Sequence, residues 1–497
     1  EEQIEYLFEH AECVAVVTEA QFADAVMAVA GRLEGIRRVY LADGEAPGAL
    51  AMTELEAAAT EGFELEEALG SVTAEDVATL IYTSGTTGPP KAVELTHANL
   101  LAQIRMIDEW FPIGPSGRLV SYLPMAHLAD RCGSHYASLV SGSSITFVAD
   151  IAQVLGAVIE VHPTSWGAVP RIWEKLRAAL EAGFAAEPDE QRRAAVARAL
   201  EVALHAVRAE QAGLPVPEEL ARERERADAE VFSALRAQLG LDQVGYLISG
   251  AAPIAPEVLE FFSALGLRIC EVWGMSETSL IATINPSDAI RIGTVGRALP
   301  GVELTLAPDG ELLMRGPTVM RGYRKDPERT AEAIDADGWL HSGDIAEIDA
   351  DGYVRIVDRK KELIINAGGK NMSPSNIENR LKAACPLIGS VVAIGDRRPY
   401  NTALVVLDPL AAASFASAKS LADLTPAALA EDPAVRAEIL AGVERANASL
   451  SRVEQIKRHT ILPDEWQPGG DELTPTMKLR RRPIAEKYAA QIDAMYA

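Results

Sequence analysis

A chain of 497 residues is too long for one ordinary core, and two or more domains are expected. Its 48% hydrophobic and 24% charged residues are those of a soluble globular protein, and a formal net charge of −26 excludes nucleic acid as a partner, because phosphate-driven binding needs a basic face. Cys13, Cys132, Cys270 and Cys385 stand far apart with no C-x-x-C pair, which excludes a zinc knuckle or disulfide framework and fits a reducing cytoplasm.

The chain opens Glu1-Glu2-Gln3-Ile4, with no initiator methionine and no signal-peptide pattern. Ile4, Leu7 and Phe8 recur at helical spacing, followed by a strand over 14–17, a helix over 21–33 and a strand over 39–41. Strand, helix, strand with short links is the pattern of a parallel sheet covered by helices. A third strand ends near Tyr82 and runs into Thr83-Ser84-Gly85-Thr86-Thr87-Gly88-Pro89-Pro90-Lys91. Gly85 and Gly88 let backbone amides turn toward an anion, the four hydroxyls add donors and Lys91 adds a point charge, as a polyphosphate cradle requires. The spacing is not that of a Walker P-loop, and on composition alone a polar surface loop is the other reading.

The chain re-enters as a strand over 92–95, and Thr96 stands as N-cap of a helix over 98–110. A strand over 119–123 delivers His127 to a strand end, where open α/β sheets place ligands. A lone histidine there is more often structural. Helix 128–140, strand 144–147, helix 151–161 and strand 165–169 continue the alternation, so the large domain reads as doubly wound. From Arg171 to Leu239 the sequence is rich in Ala, Arg and Glu and broken at Pro188, Gly213 and Pro215, which reads as a helical insertion. Its alternating charges, Arg222 to Arg226, are a solvated face, with a partner or membrane role as the alternative.

Strand 244–248 ends in Gly250-Ala251-Ala252-Pro253, helix 256–265 follows, and strand 267–272 ends in Trp273-Gly274-Met275-Ser276-Glu277-Thr278. Small residues at a strand end let a flat ring lie against backbone, and Trp273 offers an aromatic cover. Beyond Gly301, Asp309-Gly310, Asp337-Gly338 and Asp351-Gly352 are hairpin signals for a small antiparallel β subdomain over 301–358. After Asp358-Arg359-Lys360-Lys361 a small α+β domain begins, with a helix over 375–384, strands over 391–394 and 403–407 and a helix over 433–450. Its basic end, 478–482, reads locally as a solvated tail.

These motifs, in this order, resemble those of the adenylate-forming superfamily: the loop from Ile81 to Lys91, Leu123-Pro124-Met125-Ala126-His127, 249–253, 273–278, 339–344, 358–362 and Leu473 to Lys478. The whole pattern looks most like bacterial long-chain fatty acyl-CoA synthetases. The resemblance implies an N-terminal domain over 1–358, a hinge over 359–361 at Lys361, a mobile C-terminal domain over 362–497 and a further N-terminal segment not present in this sequence. It also implies ATP-dependent activation of a long-chain fatty acid through acyl-AMP, transfer to coenzyme A, a cytoplasmic setting and compatibility with peripheral membrane contact. No residue pattern specifies an oligomeric state.

By the same resemblance, Lys91 and the loop hydroxyls of Thr83, Ser84, Thr86 and Thr87 hold phosphates, with Gly85 and Gly88 shaping the loop. Gly250, Ala251, Ala252, Pro253 and Trp273 form the adenine pocket, Gly274, Met275, Ser276 and Thr278 bind ATP, Glu277 and Thr83 hold magnesium, Asp344 holds ribose and Arg359 ribose or phosphate. His127, Glu277, Lys91 and Lys478 serve catalysis, Lys478 bridging carboxylate and α-phosphate, and Gly368, Gly369, Lys370 and Asn371 face coenzyme A. Ala92 stands where glycine often follows the loop lysine, and Trp273 replaces a more frequent tyrosine; neither change touches a charged role. A fatty acyl-AMP ligase that delivers to a carrier protein is the alternative, and a non-catalytic nucleotide-binding homologue a more distant one.

Overall fold

Where apolar residues alternate along short segments the chain forms strands, and where they recur every three or four residues it forms the helices that cover them. The computed structural model describes residues 1–58, 62–83, 89–366, 370–421, 423–467, 469–474 and 477–497. Ser84, Gly85, Thr86, Thr87, Gly88, Gly368 and Gly369 lie outside the described residues. The described residues form two compact units, 1–98 with 320–327 and 99–319 with 328–497.

In the first unit, strands Ala15–Thr18, Arg38–Leu41 and Leu50–Ala51 form a parallel sheet. The strands flanking the signature loop do not join it. Val77–Thr83 and Lys91–Thr96 pair antiparallel, with Gly322–Tyr323 on the far edge of Lys91–Thr96. The physical reason is length: a parallel return needs a crossover of about a dozen residues or more, and the link from Thr83 to Lys91 is too short for one.

In the second unit, Ser165–Ala168, Tyr246–Ser249 and Ile269–Trp273 are parallel, continued antiparallel by Thr283–Ile284 and Arg297–Ala298. Arg118–Ser121 and Ser144–Phe147 form a separate parallel pair. The parallel strands therefore send the segments after Ala168, Ser249 and Trp273 out over one edge.

The segment read as an insertion supplies a wall of this core. Helices Pro170–Ala186 and Glu190–Gln211 bury Trp173 and Leu176, and Ala199, Ala203 and Val207, in one core with Trp166, Leu247 and Phe262, and Ala206 is buried beside them on the second helix. An alanine stripe at i, i+4, i+7 lets the helix lie close, while Arg222 and Glu218 pair in solvent.

Strands Glu303–Leu306, Glu311–Arg315, Leu340–Ile348 and Val354–Arg359 form the expected antiparallel sheet. Asp309-Gly310 and Asp351-Gly352 sit between its strands. Asp337-Gly338 does not: it follows helix Pro327–Ala333 and closes only the single bridge Ile334↔Leu340, so it is a turn from helix into strand.

The C-terminal segment is organised on Asn401–Leu407, which pairs antiparallel with Ile388–Ile394 and parallel with Ile456–Leu462. Its side chains alternate: Ala403 and Val405 meet helices Pro374–Ala384 and Pro433–Ser449, whereas Leu404 and Val406 meet Ile484, Tyr488 and Ile492. Among the described residues no helix is long and apolar enough to cross a membrane.

Candidate active site

Trp273 ends the last of the three parallel strands, and the turn after it is tightly constrained. A Cβ on Gly274 would meet the Leu280 carbonyl oxygen at 1.8 Å, so only glycine fits. Ser276–Thr278 form a short 3₁₀ turn locked by Thr278, whose Oγ1 accepts from the Met275 N–H at 2.9 Å and donates to the Met275 carbonyl at 3.0 Å. Ser279 follows in the left-handed region, φ 61°, its hydroxyl donating to the Thr318 carbonyl. This holds Glu277 buried at 8% exposure. Ser249 leads through half-buried Gly250 into the exposed Ala251-Ala252-Pro253, where Ala251 sits at φ 71°, a conformation L residues adopt at a cost.

Asp344 lies in Leu340–Ile348 directly opposite Arg359 in the ladder. Its Oδ1 pairs with Arg359 Nε at 3.0 Å and its Oδ2 accepts from the Trp273 indole N–H at 2.7 Å. The tryptophan identity thus ties the strand-end motif to the Asp344 motif, in addition to offering a flat face. Burial pushes the Asp344 carboxyl above its ordinary range, opposed by Arg359, Trp273 and Lys478.

Lys478 stands at a tight turn: its N–H donates to Thr474 Oγ1 at 3.0 Å, the Thr474 N–H returns to the Lys478 carbonyl at 2.9 Å, and Leu473 and Leu479 bridge behind it. Lys478 is exposed as a residue, yet protein packs around its ammonium. The surrounding protein and then Arg359 push its pKa down, while Asp344, Glu362 and Glu277 pull it up. His127 belongs to the same neighbourhood. Burial and Lys478 hold its pKa below the ordinary range, and its Nδ1 accepts the Ala129 N–H at 3.3 Å, capping the short helix Leu128–Asp130. With Nδ1 accepting, Nε2 carries the ring proton and is a donor.

The second unit thus brings together Trp273, Glu277, Asp344, Arg359, His127 and Lys478, drawn from five distant motifs. Thr83 and Lys91 belong to the first unit, opposite each other in the hairpin ladder, with Lys91 Nζ 4.6 Å from the centre of the Tyr323 ring. Lys370 and Asn371 are exposed on the separate hairpin Ile364–Ile365 with Asn371–Met372. Lys361 is exposed.

Two features escape sequence reasoning. Arg481, in the basic stretch read as a tail, is half-buried in two ion pairs, with Glu378 (2.6 and 2.9 Å) and Glu362 (2.9 Å), and anchors the chain three residues beyond Lys478. Asp358 is buried and accepts from the hydroxyls of Ser373 (2.6 Å) and Ser375 (3.2 Å) and from the Ser375 N–H (3.0 Å), pinning the segment before Arg359 to the start of helix Pro374–Ala384. Both are long-range pairings, for which local sequence carries no signal.

A buried carboxylate beside a lysine and a paired aspartate suits a nucleotide and its metal. Among the described residues no cluster of three or more His, Cys, Asp and Glu forms a metal cage. A single carboxylate such as Glu277 is what magnesium takes when phosphate and water complete its shell.

The AMP-binding enzyme model matches residues 1–324, and the model of the AMP-binding enzyme C-terminal domain matches residues 361–497. The chain is an AMP-binding enzyme. This AMP-binding enzyme is 54% identical over 453 residues, 91% of this chain and 79% of the other, to fadD11 of Mycobacterium tuberculosis, which carries the provisional name of a fatty-acid–CoA ligase. It is 37% identical over 500 residues, 100% of this chain and 82% of the other, to the long-chain-fatty-acid–CoA ligase FadD15 of Mycobacterium bovis. Its fold is that of the anthranilate CoA ligase AuaEII solved with anthranoyl-AMP: TM-score 0.70, 18% identity, 99% of this chain and 81% of that one. The adenylate-forming superfamily and the α/β fold expected from the motif order are thereby established for this AMP-binding enzyme.

Proposed function

We propose that this AMP-binding enzyme activates a long-chain fatty acid with ATP and transfers it to coenzyme A. The observation that carries the reading is the position of Lys478 within the electrostatic reach of Asp344, Glu277 and Arg359. The names of fadD11 and FadD15 support a fatty acid as the carboxylate, and FadD15 supports a long one.

Thioester formation from a carboxylate is uphill, so the carboxylate first gains a leaving group. A carboxylate oxygen bonds to the α-phosphorus of ATP as the bond to pyrophosphate breaks; coenzyme A thiolate then bonds to the acyl carbon as AMP leaves with the bonding pair. Such transfers need charge stabilisation and alignment more than covalent help. Asp344 accepts from ribose hydroxyls, a carboxylate with two oxygens having room for further donors beside Arg359 and Trp273. Lys478 stabilises the charge that gathers on the phosphorus oxygens. Neutral His127 donates from Nε2. Glu277 would hold magnesium, which when bound neutralises phosphate charge. The phosphate roles of Thr83 and Lys91 rest on their motif.

The acyl chain has a candidate seat: a surface-open cavity of 360 Å³ beside the His127 turn, lined by Met125, Arg131, His135, Tyr136 and Phe147. Arg131 is held in this lining by its Nε, which donates to the Met125 carbonyl at 2.6 Å. Alkyl chains bind such linings through area removed from water.

Product analysis tests the proposal. Incubation with ATP, magnesium, coenzyme A and acids of graded length should yield acyl-CoA, AMP and pyrophosphate, most rapidly with long chains. Accumulation of acyl-AMP with coenzyme A unused would instead establish an acyl-AMP ligase.

A further inference from the structure

The catalytic reading leaves unexplained three ion pairs, Arg171–Asp408, Glu174–Lys382 and Glu257–Arg380, that join residues on opposite sides of the 359–361 segment. Helix Pro170–Ala186 starts just beyond strand Ser165–Ala168, at the sheet edge that also carries Trp273, and helix Pro256–Ala264 starts just beyond Ser249 at the same edge. Both present charges in their opening turns: Arg171 with Glu174, and Glu257.

Each meets a charge of the C-terminal segment. Arg171 pairs with Asp408, whose other oxygen accepts the Ala411 N–H at 2.9 Å and caps helix Pro409–Ala418. Glu174 pairs with Arg171 at 3.2 Å and Lys382 at 3.5 Å, so Asp408, Arg171, Glu174 and Lys382 alternate in sign along one chain of contacts. On helix Pro374–Ala384, Arg380 meets Glu257 at 3.1 Å. Between Arg380 and Lys382, Leu381 is fully buried in the segment's own core, which fixes the helix face presented.

The four side chains of the chain are only 12–26% exposed, so these are not freely solvated surface pairs of negligible strength. A network also exceeds isolated pairs, because each charge has its partner already ordered. Arg171–Asp408, Glu174–Lys382 and Glu257–Arg380 all break if 362–497 turns relative to 99–319, whereas Arg171–Glu174, within one helix, is kept.

We propose that Arg171, Glu174, Lys382, Asp408, Glu257 and Arg380 form an electrostatic latch that positions Lys478 for the adenylation step and must open for the thioester step. The residues are positioning residues: none of them touches the reacting atoms. The inference rests on the reading of Lys478 as the adenylation lysine. Closed, the latch favours the arrangement seen here; removing one link shifts the balance toward arrangements that withhold Lys478.

The test measures two half-reactions on the full chain: acid-dependent exchange of pyrophosphate into ATP, and thioester formation from supplied acyl-AMP and coenzyme A. Arg171→Ala should lower the first about tenfold and leave the second equal or faster. Glu257→Arg alone and Arg380→Glu alone should each slow the first, and the double reversal should restore it, which a merely structural role would not do. Raising salt toward about 1 M should slow wild-type adenylation and narrow its difference from Arg171→Ala. The more exposed Glu257–Arg380 pair keeps the test open if Arg171→Ala folds poorly. If Lys478→Ala abolishes exchange while the latch variants alter neither half-reaction, or both in equal proportion, the latch is overturned and the site reading stands. If Lys478→Ala leaves exchange intact, the site reading fails and the latch with it.

Discussion

Glu271 lies in strand Ile269–Trp273, opposite Ser249 in the parallel ladder and two residues before Trp273. It is 9% exposed; one carboxyl oxygen takes a hydrogen bond from the Gly293 backbone, and the other has no partner. Burial raises its pKa from 4.5 to about 8, so the folded protein carries a neutral acid at pH 7. Glu271→Gln preserves shape and the acceptor for Gly293 and removes the ability to ionise. The folded pKa lies above the unfolded one, so between about 4.5 and 8 the unfolded chain holds fewer protons and wild-type stability declines as pH rises. The decline from this residue is about 1.4 kcal/mol per pH unit, so the advantage of the variant should widen by on the order of 3 kcal/mol between about pH 5 and 7.5. It should level off below 4.5 and above about 8. Urea denaturation of both proteins at fixed ionic strength reads the difference directly. An advantage that does not change with pH, or that shrinks, would mean that Glu271 is ionised in the fold and has a partner.

Glu277→Ala leaves phosphate charge uncompensated in the adenylation transition state, so exchange should fall by orders of magnitude with little change in acid binding, measured by isotope exchange and calorimetry. Trp273→Phe keeps the flat ring and removes the N–H that Asp344 accepts, so the KM for ATP should rise several-fold while that for the acid is unchanged. Arg481→Met leaves Glu378 and Glu362 without their shared cation and should cost about 3 kcal/mol or more in denaturant unfolding, with adenylation falling as the Lys478 turn loosens. Lys361→Pro fixes φ at the 359–361 segment; adenylation should survive and thioester formation collapse, or the reverse if proline traps the other arrangement, and equal losses in the two assays would contradict a hinge there.

What the sequence made legible is what local rules decide. Asp309-Gly310 and Asp351-Gly352 lie between alternating segments and form the turns that such dipeptides form, and the strands ending at Ser249 and Trp273 follow from apolar runs bounded by small residues. Asp337-Gly338 has the same letters but follows a helix, so the same turn chemistry serves a different connection. Strand Ile456–Leu462 hides its period behind Lys457 and Arg458, which face solvent beside buried Ile456. The Lys478 motif is legible in the sequence as a motif; the anchoring of its turn is not, because Arg481 is basic among basic residues until Glu378, far away in sequence, closes on it. The same holds for Trp273, whose hydrogen bond to Asp344 joins two motifs that sequence can only list in order.

The central claim is that Lys478 acts while the carboxylate attacks phosphorus and not afterwards. A cation accelerates a step only to the extent that it holds the transition state more tightly than the ground state; in the first step the reacting centre is the phosphorus, in the second it is the acyl carbon. The direct measurement is Lys478→Ala in the two half-reactions, with Lys478→Arg alongside as a charge-retaining control. The account predicts that Lys478→Ala loses acid-dependent pyrophosphate exchange by several orders of magnitude while converting supplied acyl-AMP and coenzyme A to thioester at a near wild-type rate. Equal losses in both half-reactions, or exchange that survives the substitution, would contradict it.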